Sequence, residues 1–272
     1  MTAEEFIKLR DFIYRKTGIY FEEHKMYYVR NRVESRIKAT GHENFRSYFT
    51  WMRFDVTGQE LQELVNLLTV NETYFFREYY QLKCFAEEVL PEILDRKCEE
   101  KVRMIRVWSA GCSTGEEPYT LAIIMEEMLE GIERVMWEVH ATDINTEVLE
   151  RAEMGIYSSR SVRLVPEEYK KRYFIQHGEL YEVIPELRNK VKFYQLNLMD
   201  AVAMRKMVGF DVIFCRNVLI YFDDASRRQV ALYFYEALAE GGYIFLGHSE
   251  SMSRITPIFK LRRFKNAFVY QK

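Results

Sequence analysis

No CxxC pair and no HExxH run occur in this sequence. Its four cysteines, Cys84, Cys98, Cys112 and Cys215, are scattered, and its five histidines adopt no zinc-ligand spacing. No metal centre is therefore expected. No uninterrupted apolar stretch approaches the roughly 20 residues that cross a bilayer. The opening Met1-Thr2-Ala3-Glu4-Glu5-Phe6 is acidic and lacks an apolar signal core. A cytoplasmic protein with reduced thiols is the expectation. An excess of one charge is missing too: 39 Lys+Arg against 41 Asp+Glu give a formal net charge of −2. That balance excludes a disordered charged chain and argues against a nucleic-acid binder over the whole length.

What is present is apolar. Of 272 residues 48% are hydrophobic and 15% aromatic, enough for a sizeable core in one large domain or a Rossmann-sized domain with a small companion. Two periodicities divide the chain. Phe6, Leu9, Phe12 and Ile13 recur at helical spacing up to Gly18, and Met26, Val29, Val33 and Ile37 repeat the pattern up to Gly41. Thr57-Gly58-Gln59-Glu60 has the form of a capping box ahead of Leu61, Leu64, Val65 and Leu68. Residues 1–95 therefore read as a small all-helical domain.

Near Val102 the period changes. Strands are expected at Met104–Trp108, Trp137–Ala141, Lys192–Leu196, Phe210–Cys215 and Tyr243–Leu246, with helices over Glu117–Glu130, Thr146–Met154 and Ala225–Ala239. This alternation predicts an α/β domain with a mostly parallel sheet over residues 96–272. Runs at Phe259–Arg262 and Ala267–Tyr270 predict an edge hairpin, and the charged stretch Asp95–Lys101 after Pro91 the hinge.

The sharpest local signal is Ser109-Ala110-Gly111-Cys112-Ser113-Thr114-Gly115-Glu116-Glu117, a strand entering a two-glycine turn and then a helix. Such a turn lets backbone approach a ligand closely. No Lys follows Gly115, as a phosphate loop would require, and GxGxxG is absent. Glu116 and Glu117 at the helix start would repel a pyrophosphate, so a cofactor carrying cations and no phosphate fits better. S-adenosylmethionine, with its sulfonium and ammonium, is such a molecule; the plain alternative is that the acids only cap the helix. Asp143, just past the second strand, can accept from both hydroxyls of a ribose, or can serve as a turn residue before Asn145-Thr146. Asn197 and Leu198 hold the corresponding place after a later strand and suit an adenine edge and face. Arg216-Asn217 interrupts the apolar run from Phe210 to Phe222, a costly place for a charge unless it is paired or used.

Asn71-Glu72-Thr73…Phe76-Arg77, Ser113–Tyr119, Asp143, Cys215-Arg216-Asn217-Val218…Tyr221-Phe222 and Gly247-His248-Ser249-Glu250 appear in order. As a set they resemble the chemotaxis receptor methyltransferases of the CheR type over nearly the whole chain. The resemblance implies a helical domain followed by a Rossmann-like class I methyltransferase domain with a small β-subdomain insertion, here a candidate at 173–193 with Leu180–Ile184 as one strand. It implies S-adenosylmethionine contacts from Asn71, Thr73, Arg77, Glu117, Asp143, Asn197, Leu198, Arg216 and Asn217. Arg77, Arg216 and Tyr221 would face the reacting centre, and no step is assigned to His248-Ser249-Glu250. The implied reaction is methyl-ester formation on glutamate side chains of methyl-accepting chemotaxis receptors, with S-adenosylhomocysteine as product.

The stretch Lys25–Lys38 holds five basic residues against Glu34, with Lys25, Arg32 and Arg36 on one helical face. That is a solvated face or a docking surface; the resemblance favours docking on the acidic cytoplasmic helices of the receptor, with nucleic acid the rival partner. In tail-binding members of the family the β-subdomain carries a longer Gly/Pro-containing loop. Here only Gln176-His177-Gly178-Glu179 is available, which speaks against tethering to a receptor's C-terminal pentapeptide. The competing functions are a nicotinamide-dependent Rossmann enzyme and a non-catalytic receptor-binding module.

Overall fold

The computed structural model describes residues 1–99 and 103–272. The expected change of pattern at Val102 and part of the expected hinge Asp95–Lys101 lie outside the described residues. The chain begins with α1 (Ala3–Thr17), where Thr2 and Glu5 form a reciprocal capping box and Gly18 closes the helix in the left-handed region. Helices α2 (Met26–Ala39), α3 (Phe45–Phe54) and α4 (Gln59–Leu68) follow. Phe6, Leu9, Ile13, Val29, Val33, Tyr48, Leu64 and Leu68 meet in one core.

The capping box expected at Thr57–Glu60 does not form. Gly58 is the N-cap and offers no side chain. Glu60 turns inward instead, accepting from Arg36 at 2.9 and 2.6 Å and from the Tyr48 hydroxyl at 2.7 Å. A charge-assisted pair with a planar guanidinium outweighs one exposed cap bond.

After a loop come α5 (Tyr79–Cys84), a π-turn at Phe85–Val89, and α6 (Leu90–Arg96). Leu82, Phe85, Val89 and Ile93 do not join the helical core. They pack with Val107, Leu121 and Phe214 of the α/β unit. By packing, the division falls between Leu68 and Phe75 rather than at residue 95. Helical period reveals an apolar face but not the partner that covers it.

The α/β unit contains β1 (Arg103–Ala110), α7 (Glu116–Leu129), β2 (Val135–Asp143), α8 (Thr146–Met154), β3 (Ile156–Ser158), β4 (Phe174–His177) and β5 (Leu180–Val183). It continues with β6 (Val191–Gln195), β7 (Phe210–Cys215), β8 (Leu238–Leu246), β9 (Lys260–Arg263) and β10 (Phe268–Gln271). Seven strands form one sheet in the order β6-β2-β1-β7-β8-β10-β9. The first four pairings are parallel, and β10 pairs antiparallel with β8 and β9 as the edge hairpin. β8 starts earlier than its apolar run because a register shift at Phe210/Val212 admits Gly241-Gly242 as a bulge.

Burial of both faces explains the unbroken apolar strands. Val107, Val139 and Phe214 point into one core, while Trp108, Ile213 and Leu246 point into another, covered by the helix Asp224–Ala237. The small sheet has the order β3-β5-β4. It draws on Ile156–Ser158, upstream of the 173–193 segment, and its β4–β5 hairpin turns at Gly178-Glu179, between the paired His177 and Leu180.

Candidate functional site

Because β1, β2, β6 and β7 are parallel, their C-terminal ends share one edge, and β1 lies between β2 and β7 where the strand order reverses. Ligands of open α/β sheets occupy the crevice at such a reversal. A cavity of about 240 Å³ opens there.

Its floor is the Gly111–Gly115 turn. The Gly111 and Cys112 N–H groups both donate to Thr142 O, at 2.8 and 2.9 Å, which pulls the turn against the end of β2. Gly111 has φ +80°, and a Cβ there would lie 2.3 Å from Val218 Cγ2, so no larger residue fits. Ser113 N–H donates to Asp143 Oδ2 and Asn145 N–H to Asp143 Oδ1, each at 2.9 Å. Burial pushes the Asp143 carboxyl up from its usual range, while the N–H groups of Asn145, Ser113 and Ile144 pull it back. A carboxylate has about four acceptor positions, so both oxygens retain capacity for hydroxyl donors.

The opposite wall carries the charge. Glu117, in the first turn of α7, accepts from Ser109 Oγ at 2.7 Å and from Arg216 Nη1 at 3.1 Å. Arg216 Nη2 donates to Arg77 O at 2.7 Å and lies 3.2 Å from Glu78 Oε2, and the Arg216 side chain is only 3% exposed. One guanidinium thus faces two carboxylates. Next to it, Asn217 Oδ1 is buried without a donor from the chain.

Asn71, Thr73, Arg77, Leu198 and Tyr221 complete the lining with Asn197. The Asn71 carbonyl accepts from Ser113 Oγ at 3.1 Å, which ties the Asn71–Arg77 loop to the floor. Arg77 donates to Glu72 O at 2.9 Å and lies 5.8 Å from the Tyr74 ring centre. Leu198 is a buried apolar wall. Asn197 lines the cavity, its amide donating to Lys16 O at 2.8 Å and accepting from Met199 N–H at 3.0 Å, which leaves one N–H and one lone pair. Burial, then neighbouring Tyr28, raises the half-buried Tyr221 hydroxyl above its ordinary value, and Arg77 opposes the rise.

Lys25, Arg32 and Arg36 lie outside the cavity. Lys25 is exposed. Arg32 rests 3.4 Å from the Tyr28 ring centre and donates to Leu67 O at 2.9 Å. Arg36 is spent inside the fold, bidentate on Glu60 and 3.6 Å from Glu63. Its charge is neutralised there, so the expectation that it belongs to a free basic face needs correcting.

Sequence reasoning missed the helical unit's own share of the site. Thr17 and Ile19, at the corner after α1, line the cavity. Asn145 Nδ2 donates to Asn66 O and Thr69 Oγ1, at 3.0 and 2.7 Å, sealing α4 to the sheet edge. Nothing in an amphipathic helix marks Asn66 as a seam residue. Glu78 had a signal, its adjacency to Arg77.

Does S-adenosylmethionine fit these groups? The ends of the cavity offer carboxylates where a dinucleotide would need cations. The orphan Asn217 acceptor and the paired acids at Arg216 call for an N–H-bearing cation, and Asp143 for hydroxyls. The residues fit. Among the described residues, no cluster of His, Cys, Asp and Glu is placed to hold a metal ion, and no helix is long and apolar enough to cross a membrane.

The sequence matches two family models, described as CheR methyltransferase, all-alpha domain, over residues 4–69, and CheR methyltransferase, SAM binding domain, over residues 71–268. Chemotaxis protein methyltransferase 2 of Vibrio cholerae is 47% identical over 273 residues, covering 100% of this chain and 94% of the relative. The chemotaxis protein methyltransferase of Borreliella burgdorferi is 36% identical, covering 93% of this chain and 89% of the relative. That of Salmonella typhimurium is 37% identical, covering 96% and 88%.

Proposed function

The chain belongs to the CheR methyltransferase family, and we propose that it esterifies glutamate side chains on the cytoplasmic helices of chemotaxis receptors. It is a methyltransferase that uses S-adenosylmethionine. The observation that carries the reading is the cavity's charge layout: Asp143 on one side, and on the other Glu117 paired with Arg216, which also meets Glu78 outside the lining, beside the unsatisfied Asn217 acceptor. Calorimetry with S-adenosylhomocysteine and with NAD tests it. Binding of the first alone supports the assignment, and binding of NAD would refute it.

Bound S-adenosylmethionine supplies an electrophilic methyl group on a sulfonium. A glutamate carboxyl titrates near about 4.3 and is already ionised at neutral pH, so the chain need not provide a general base. What its residues supply is placement and exclusion of water. Arg77 and Tyr221 line the cavity with polar ends available to orient an incoming carboxylate. Arg216 has its guanidinium on Glu117, Glu78 and Arg77 O, and acts chiefly by fixing those groups. Too strong a bridge to the substrate would blunt the nucleophile, so this division of labour suits the reaction. Asn71, Thr73, Asn197 and Leu198 surround the cofactor in this reading, Asn197 through the amide N–H and lone pair it has left.

Docking on the receptor falls to Lys25 and Arg32, since Arg36 holds Glu60. The two-residue turn Gly178-Glu179 leaves no longer loop for a receptor tail peptide, which supports action without pentapeptide tethering. On this reading the enzyme works in the cytoplasm, on the receptor helices it methylates.

A further inference from the structure

The Gly247-His248-Ser249-Glu250 turn after β8 carries a partly buried carboxylate that the chemistry above leaves without a role. Glu250 Oε2 accepts from Asn217 N–H at 2.9 Å and from Gly247 N–H at 2.8 Å, and Oε1 accepts from Ile220 N–H at 3.2 Å. One side chain thus ties the loop after β7 to the loop after β8. The approach is close: a Cβ on Gly247 would lie 2.8 Å from both Asn217 N and Glu250 Oε2. Asn217 itself has φ +61°, a left-handed conformation that costs a non-glycine residue and persists where surrounding bonds enforce it. Arg216 is anchored independently by Glu117 and Arg77 O. Arg227 Nε holds the Leu219 carbonyl at 2.9 Å and Tyr221 N–H turns back to Val218 O, while the Asn217 and Ile220 N–H groups go to Glu250.

We propose that Glu250 is a positioning residue for methyl transfer, setting Asn217 and the turn that ends in Tyr221 against the cofactor cavity without touching either substrate. The inference rests on the reading that places Asn217 at the cofactor. Glu250→Gln replaces one acceptor oxygen by a donor facing backbone N–H. It should raise KM for S-adenosylmethionine about tenfold and weaken S-adenosylhomocysteine to a similar degree. Gly247→Ala presses on the same atoms and should give the same change, while Ser249→Ala, exposed and one residue away, should give none. In Glu250→Gln combined with Asn217→Ala the two effects should fail to add, because they act on one contact. A fall in apparent kcat that only matches the loss of folded, S-adenosylhomocysteine-titratable enzyme, with KM unchanged, would make Glu250 a residue of folding alone and overturn the proposal. So would loss of folded protein in both Glu250→Gln and Gly247→Ala. If Asn217→Ala raises KM while neither turn variant does, only the positioning role fails. If Asn217→Ala leaves KM unchanged, the parent reading and this inference fall together.

Discussion

Arg216 Nη1 lies 3.1 Å from Glu117 Oε2, joining the end of β7 to the first turn of α7 along the charged wall of the cavity. Removing one partner of such a pair leaves the other buried and uncompensated, a loss of about 3–5 kcal/mol. Arg216→Ala should lower the melting temperature and cut kcat/KM by about a hundredfold or more. Arg216→Lys should recover little, because a point charge cannot span Glu117, Glu78 and Arg77 O together. Thermal melts and steady-state kinetics check both variants; wild-type turnover in Arg216→Ala would remove it from the site.

Tyr221→Phe removes one hydroxyl and leaves the ring packed against the helical core. If that hydroxyl orients the substrate carboxylate, kcat should fall roughly three- to tenfold, the range of a single hydrogen bond, with S-adenosylhomocysteine affinity unchanged. The pairing of rate assay and calorimetry separates orientation from cofactor binding.

Arg36 and Glu60 belong to stability. Glu60→Ala strands Arg36 and the Tyr48 hydroxyl inside the helical unit, and should cost on the order of 3 kcal/mol in denaturant unfolding. Arg36→Glu should do the same, making it an unsuitable probe of docking.

Lys25→Glu and Arg32→Glu are the suitable probes. Each should weaken methylation of receptor-bearing membranes, with a deficit that narrows as salt rises, and leave S-adenosylhomocysteine affinity intact. Weakened cofactor binding with unchanged receptor methylation would refute the docking role.

Asp143 gives the site a pH dependence. Its carboxyl is raised by burial, and its ionised form accepts the hydroxyls. Affinity for S-adenosylhomocysteine should therefore fall as pH drops through the raised value, at higher pH than an ordinary aspartate near about 3.9 would allow. The fold responds with the opposite sign: between the ordinary and raised values the native state holds more protons than the unfolded chain, so acidification there favours folding. Calorimetry from neutral pH down toward the ordinary aspartate range, on wild type and on Asp143→Asn, whose weaker binding should be flat with pH, checks the claim.

Much of this was legible in the sequence because period and turn chemistry are local. Phe210–Cys215 and Thr146–Met154 match their expected bounds, since a largely apolar run and a helical period are read without tertiary knowledge. Ile156–Ser158 was missed because three residues carry no period, and only pairing with β5 makes them a strand. The helices at Tyr79–Arg96 were read as helices but given to the wrong core, because Phe85 and Ile93 do not announce that a sheet covers them. At the site, charged residues in apolar runs and at strand ends stood out. Asn66, Thr17 and Glu250 did not, since their roles come from what the fold brings beside them.

Transfer of a methyl group to receptor glutamates is measured with S-adenosylmethionine labelled in the methyl group and chemoreceptor-containing membranes. Label should appear in the receptor, be released by base as methanol, the mark of a carboxylate ester, and be lost in Arg216→Ala. Receptor left unlabelled by folded enzyme that binds S-adenosylhomocysteine, or label that survives base, would contradict it.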